Sequence, residues 1–403
     1  LRDGLFRLLA RTVAGLPTWK DAAARAYRDD MSSPTDASTS TSSSPASAPS
    51  PQAASAGAAP IRAAVIGYGL GGEVFHAPLL ANDPAYRLSG IVTANEARVA
   101  KATERYGEGI VIPDADSLFD RATDFDLVVI TSPNATHAPF AHRALDAGLH
   151  VVVDKPFALT EHDARELNDH AEKTDRRLTV FQNRRWDGDF RTVRALIESG
   201  ELGEVRQFES AFEWFKPELS AKNKDVDPAG QGGGILFDLG PHLIDQALQL
   251  FGDVDVEGGG VHAELDRRRD GAVNDDDSFI TLTHENGVRS RLWMSAVAPA
   301  NRPRFRVIGS KAVFSSDGLD AQERQAKAGM GVDAPEFGVD DVNPVGLVSS
   351  PDGEHQVPKQ RGAYSEFYRL LAEAIVTGGA VPVDPRDSER VLRIIEEAHR
   401  QNR

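Results

Sequence analysis

The chain has 403 residues, with 45 Lys and Arg against 61 Asp and Glu and a formal net charge of −16 at pH 7. A field of that sign repels phosphate backbones and anionic lipid surfaces, which argues against a nucleic-acid or membrane-surface role. Cysteine is absent, so disulfides, thiolate nucleophiles, iron–sulfur ligation and Cys-ligated zinc are excluded, and a reducing cytoplasm is the expected compartment.

No apolar run reaches the roughly 18 residues that a membrane-spanning helix needs. Residues 1–30 carry apolar residues at helical spacing, but Arg7 and Arg11 interrupt them, and no secretory pattern results. Between residues 32 and 60, 26 of 29 positions are Ser, Thr, Pro or Ala. Such a tract has too little bulky apolar surface to offset the entropy of ordering it. Residues 1–60 are therefore expected to be a disordered or non-native N-terminal extension. The remainder suits two domains, 61–181 and 182–403.

Residues 61–67, IRAAVIG, read as a short buried strand that runs into Gly67-Tyr68-Gly69-Leu70-Gly71-Gly72. Strand, glycine loop and helix in that order point to a dinucleotide site. Gly67 permits the tight turn, Gly69 leaves room for a pyrophosphate and Gly72 lets the next helix pack closely. The second strand, 86–92, ends in Thr93-Ala94-Asn95 with no carboxylate to receive a ribose 2′-hydroxyl. A neutral tip with Arg98 one turn later favours NADP and leaves NAD possible: the guanidinium suits a 2′-phosphate, and its other reading is a solvated helix residue. Further apolar strands at 125–134 and 150–156 alternate with helices, as in a parallel sheet covered on both faces. Ser132, Pro133, Asn134 and Lys155 then fall at the strands' C-terminal edge, where such sheets bind ligands. His137, in the first turn of the next helix, reads as structural.

Beyond Phe181 the pattern changes to strands with alternating faces at 205–214, 278–287, 288–297 and 304–310. Glu285-Asn286-Gly287 reads as a hairpin turn between two of them. An antiparallel sheet with one helix-covered face follows. The charged stretches 266–270 and 275–277 read as solvated loops, and 315–362, with no clear period, as a functional loop or subunit arm. One segment stands out: Gly232-Gly-Gly-Ile-Leu-Phe-Asp238-Leu-Gly-Pro-His242-Leu-Ile-Asp245. Asp238 and His242 share a helix face. On spacing alone they fit a metal pair, a general base with its carboxylate, or a solvated pair. No HExxH-like cluster supplies further ligands, so no metal is expected.

The motifs GYGLGG, DKP and GGGILFDLGPHLID, in this order, closely resemble those of the glucose–fructose oxidoreductase/inositol dehydrogenase (Gfo/Idh/MocA) family over residues 61–400. GYGLGGEVFHAPLL, FQNRRWDGDFRTVRALI, LFDLGPHLIDQALQLFG and DGLDAQERQAKAG look most like its NADP-dependent scyllo-inositol dehydrogenase branch. The resemblance implies a Rossmann domain followed by an α/β domain with a large, mostly antiparallel open sheet, used for substrate binding and for homodimers or homotetramers. It implies hydride transfer between a nicotinamide and a cyclic polyol or sugar. Lys155, Asp238 and His242 match the family's catalytic positions. Arg184, Arg185 and Asp187 are the expected substrate-binding groups, with at least one of the two arginines structural and Trp186 in the core. Asp154 stands where the family usually has glutamate. Two rivals are an NAD-assisted glycosidase of the same fold and a non-catalytic dinucleotide sensor.

Overall fold

The computed structural model describes residues 59–220 and 223–402. The expectation for the N-terminal extension falls, as far as residue 58, outside the described residues. Strands β1 (Ile61–Ile66), β2 (Tyr86–Val92), β3 (Val111–Ile112), β4 (Leu127–Ile130), β5 (His150–Val153) and β6 (Leu178–Val180) form one sheet. Its order is β3-β2-β1-β4-β5-β6 and every pairing is parallel. β4 is buried at every position, and β1 and β5 at all but one. Their unbroken apolar runs in the sequence follow from helices covering both faces. Those helices are α1 (Ala77–Asn82), α2 (Glu96–Tyr106), α3 (Ala115–Phe119), α4 (His137–Asp146) and α5 (Glu161–Thr174). The side chains of Asn95, Asp114 and Thr160 accept backbone N–H groups at the starts of α2, α3 and α5, satisfying donors the helices cannot.

The second sheet has eight strands: β7 (Val205–Glu213), β8 (Val261–Asp266), β9 (Asp277–Thr283), β10 (Arg289–Ser295), β11 (Phe305–Gly309), β12 (Val313–Ser316), β13 (Val345–Ser350) and β14 (Gly353–Pro358). In the order β14-β13-β12-β11-β7-β10-β9-β8, β7 and β10 run parallel and the other pairs are antiparallel. Period-2 alternation sends Phe208, Phe212, Ile280, Leu282, Leu292, Met294, Phe305 and Val307 inward. Helices α6 (Gly188–Glu198) and α7 (Ile235–Phe251) cover that face: Phe190 of α6 lies against Phe305, and α7 packs on β7, β9 and β10. Nearly every residue of α7 is buried, as expected of a helix that is apolar all round. The turn at Glu285-Asn286-Gly287 joins β9 to β10, with Gly287 at φ +85°.

Stretch 315–362 is not a plain loop. It carries α8 (Ala321–Lys327), β13 and β14, which extend the sheet. Its short elements lack a long period, which is why no pattern shows in the sequence. After α9 (Ser365–Thr377), α10 (Pro385–Gln401) packs against α5 of the first layer and against α7 and β8 of the second. Val391, Leu392, Ile394, Ile395 and Ala398 form its buried stripe.

The reading of 266–270 and 275–277 as solvated loops holds for Arg267, Arg268 and Asp270, which are exposed, and is corrected for Arg269, Asp275 and Asp276. Arg269 is almost sealed and pairs with Asp225 at 2.8 Å and Asp276 at 2.9 Å. Asp275 and Asp276 are buried. Complementary charges from three segments close on one another here, so one arginine of a charged run goes inside because it is paired.

Candidate active site

Strand register brings the first group of site residues together. Ile66 is paired with Ile130, and Ile130 with Val153, so Gly67, Thr131 and Asp154 leave the sheet side by side. The glycine loop is shaped by what surrounds it. Gly67 has φ +101°, and a Cβ there would lie 2.7 Å from the Thr131 carbonyl oxygen. A Cβ on Gly72 would meet the Gly67 carbonyl oxygen at 2.1 Å, and one on Gly71 would meet Asp154 Oδ2 at 2.6 Å. Gly69 differs, because the nearest group to its Cβ position is the Arg98 guanidinium at 3.9 Å. The loop thus has two kinds of glycine: those forced by packing, and one facing open space beside a cation.

A single π-helical turn, Gly71–His76, leads from the loop into α1. Leu70 is half exposed beside it. Tyr68 does not present its side chain as a cofactor contact; it is buried with Ala77, Ile91, Ala102 and Ile110, and only its backbone belongs to the cradle. Thr93 is buried at the end of β2, and the Asn95 side chain is committed to capping Arg98 N–H at 3.1 Å. The Arg98 guanidinium itself makes no hydrogen bond or ion pair among the described residues. Ser132 Oγ lies 2.6 Å from Thr136 Oγ1, and Asn134 Nδ2 donates to the Gly232 carbonyl at 3.4 Å. Pro133 precedes the turn that opens α4. His137 has carbonyl oxygens against both ring nitrogens, Pro156 at 2.8 Å and Ser132 at 2.9 Å. It staples the two loops at the sheet edge.

Lys155 reaches from this edge to α7. Its Nζ donates to the Asp238 carbonyl at 2.8 Å and to Asp238 Oδ1 at 3.3 Å. His242 lies one turn further along α7 and is 5% exposed, and its Nδ1 is buried without a hydrogen-bond partner. Burial, followed by the nearby charges of Lys155, Arg184 and Arg304, pushes its pKa well below the usual histidine value, so the ring is neutral at pH 7. The structure therefore brings Lys155, Asp238 and His242 together. Burial raises the pKa of Asp154, but His76, Lys155 and His137 outweigh it and keep the carboxyl below the ordinary range.

The NRRWD residues are placed differently from the expectation that they contact substrate. Arg185 makes a two-pronged bond to Asp245, at 2.8 and 2.5 Å, and also holds Asp387 at 2.8 Å. Asp187 is fully buried, accepting from Tyr364 Oη at 2.7 Å and from Arg184 at 3.2 Å. Asp187 is corrected to a buried framework group, and Arg185 is the structural one of the two arginines: a guanidinium fork prefers a carboxylate that the fold supplies. Arg184 also binds Glu323 at 2.8 Å and acts on His242 through its charge. Trp186 packs edge-on against Phe367, as expected of a core residue.

Sequence reading missed three groups that shape the site. Asp275 accepts Leu236 N–H at 2.8 Å and, through its carbonyl, Ile235 N–H at 2.9 Å, so it caps the start of α7. A Cβ on Gly234 would clash with its carboxylate at 2.1 Å, which accounts for one of the three glycines. Arg304, at the start of a strand, carries no sequence mark of burial, yet it donates to Ser210 and Gln246 inside the core. His76 gives a signal only as a histidine in an otherwise apolar helix start. Among the described residues, no group of three or more His, Asp or Glu is placed to hold a metal.

Residues 61–182 match the oxidoreductase family's NAD-binding Rossmann fold, and residues 190–315 match the GFO/IDH/MocA C-terminal domain. The uncharacterized oxidoreductase YdgJ of Escherichia coli strain K12 is 37% identical over 83% of this chain and 94% of its own length. The scyllo-inositol 2-dehydrogenase (NADP(+)) IolW of Bacillus subtilis strain 168 is 31% identical, over 84% and 92%. A crystal structure of a Klebsiella pneumoniae protein, 38% identical, superposes with a TM-score of 0.76 over 85% of this chain and 92% of that one. With the glycine cradle, the two sheets and the Lys155–Asp238 contact in place, the chain belongs to the GFO/IDH/MocA family of NAD(P)-binding oxidoreductases.

Proposed function

We propose that the protein is an NADP(H)-dependent dehydrogenase or reductase acting on a cyclic polyol or sugar, with scyllo-inositol and its keto form the substrates to try first. The observation that carries this reading is the convergence of Lys155, Asp238 and His242 beside the glycine cradle. When bound, the nicotinamide supplies a carbon that accepts or returns hydride. The cradle fits such a cofactor: Gly69 leaves space where a side chain would stand, and the Arg98 guanidinium borders it.

Oxidation of an alcohol requires that a proton leave oxygen while hydride leaves carbon. The neutral imidazole of His242 takes that proton. Lys155 donates a hydrogen bond to the same oxygen and stabilises the negative charge that develops there. Asp238 holds the ammonium in place through its carbonyl and carboxylate. Arg98, unpaired among the described residues and beside Gly69, is the group for a 2′-phosphate, and the NADP-dependent IolW supports that preference.

The test is a panel of polyols and keto-sugars with NADP and NAD in both directions, on the native chain and on Lys155→Met, His242→Gln and Arg98→Glu. The first two substitutions should lower kcat by roughly two to four orders of magnitude. Arg98→Glu should raise KM for NADP at least about tenfold and leave NAD little changed. Normal rates in both catalytic variants, or a strong NAD preference in the native chain, end the corresponding part of the reading. Tight cofactor binding without turnover on any substrate points to a sensor instead.

A further inference from the structure

We propose that His76 is a positioning residue for the cofactor cradle, which, seated on Tyr368, holds the Asp154 carboxylate between Gly71 and Lys155. The proposal rests on reading the cleft as a dinucleotide site. The three residues come from distant segments: the π-helical turn after the glycine loop, the end of β5, and α9. His76 has no solvent exposure. Its Nδ1 lies 2.6 Å from Tyr368 Oη, and its ring packs on Phe181 at a centroid distance of 4.2 Å. Nε2 is sealed, makes no hydrogen bond and points at Asp154 Oδ2, 3.7 Å away.

With one N–H on the ring, the nearby carboxylate favours placing it on Nε2. Nδ1 then accepts from the Tyr368 hydroxyl. A buried N–H facing a carboxylate at this distance draws that carboxylate toward it, because leaving the donor unsatisfied is costly. Asp154 passes the constraint on. Its Oδ1 accepts the Lys155 backbone N–H at 2.8 Å, while Oδ2 occupies the space that a Gly71 Cβ would need. One carboxylate thus sets both the wall of the glycine loop and the backbone from which Lys155 extends.

The experiment measures the NADPH dissociation constant by the fluorescence of the bound dinucleotide, together with imidazole ¹⁵N NMR, on the full chain. The native His76 signal, assigned by its loss in His76→Gln, should show the Nε2–H tautomer, and Tyr368→Phe should shift it. His76→Leu should weaken NADPH binding at least about tenfold. His76→Gln, whose amide both donates and accepts, should stay within roughly threefold, and Tyr368→Phe should weaken binding roughly three- to tenfold. A native Nδ1–H tautomer, or unchanged affinity in a folded His76→Leu, overturns the proposal. If His76→Leu does not fold, Tyr368→Phe and the tautomer decide. Absence of NADPH and NADH binding in the native chain instead overturns the dinucleotide reading itself.

Discussion

At the scale of the residue, the site turns on what surrounds His242. Its ring is nearly buried and faces the charges of Lys155, Arg184 and Arg304, so protonation is disfavoured well below pH 6.5. The ring is therefore already neutral throughout the physiological range, and with His242 as the proposed base the acid limb of oxidative turnover should lie below pH 6.5. Removing the Lys155 charge takes away one opposing cation, so the proton binds more readily. In Lys155→Met, an NMR titration of His242 should show a pKa above the native one; an unchanged or lower value contradicts the electrostatic account. Arg185 illustrates the opposite case. It is 9% exposed and satisfies two carboxylates, Asp245 and Asp387. Arg185→Ala leaves buried charge unpaired and should cost about 3–5 kcal/mol of folding stability. Denaturant melts should show the loss, while KM in whatever folded fraction survives changes little. A raised KM with normal stability would return Arg185 to the substrate.

At the scale of the element, the glycine loop separates packing from binding. Gly72 has no room for a methyl group, since the Gly67 carbonyl lies 2.1 Å from its Cβ position. Gly69 has room, with its nearest neighbour at 3.9 Å. Gly72→Ala should therefore lower the thermal midpoint and weaken cofactor binding together, at a cost of roughly 1–3 kcal/mol. Gly69→Ala should fold normally and lose dinucleotide affinity alone. Calorimetric melting and cofactor titration on both variants check this, and equal loss of stability in the two would reject it. Helix α7 depends on a neighbour in the same way, because Asp275 satisfies the N–H groups at its start. The helix that carries Asp238 and His242 is thus aimed by a residue 33 or more positions away from them in the chain.

At the scale of the whole molecule, acid sensitivity has an identifiable contributor. Burial, with the charges of Arg176 and Arg177, holds the His150 pKa down to about 4, and its Nδ1 accepts the Arg177 backbone N–H at 3.0 Å. The unfolded chain takes up this proton near pH 6.5 and the folded chain does not, so the contribution to stability falls from about pH 6.5 to 4 and is constant above. Buried carboxyls raised by desolvation, Asp187 and Asp245 among them, act in the other direction. The difference between the native chain and His150→Gln isolates the histidine. The native chain should lose stability relative to the variant as pH falls through that window, as read from urea midpoints; a constant difference would exclude the mechanism. We also propose that the face of the eight-stranded sheet turned away from α7 pairs with a second copy. It carries the Phe279–Trp293 contact at 5.1 Å and the Arg291–Glu209–Arg306 cluster. Trp293→Glu should lower the mass measured by light scattering, and a native monomer would dismiss the idea.

Local physics made much of this legible in advance. Apolar runs without alternation, the glycine loop and the helical spacing of Asp238 and His242 are properties of neighbouring residues, so β1, β4, β5 and α7 could be read directly. Partner choice is not local. Lys155 meets Asp238 across 83 positions, and His76 meets Tyr368 across 292. Whether an arginine is solvated or locked, as with Arg185, Arg269 and Arg304, depends on which carboxylates and carbonyls the packing delivers to it. Residue type and spacing determined the elements and the chemistry on offer. Tertiary packing decided which charges are buried, which are paired and which face the cleft, because desolvation and ion pairing act between groups that only the folded chain brings together.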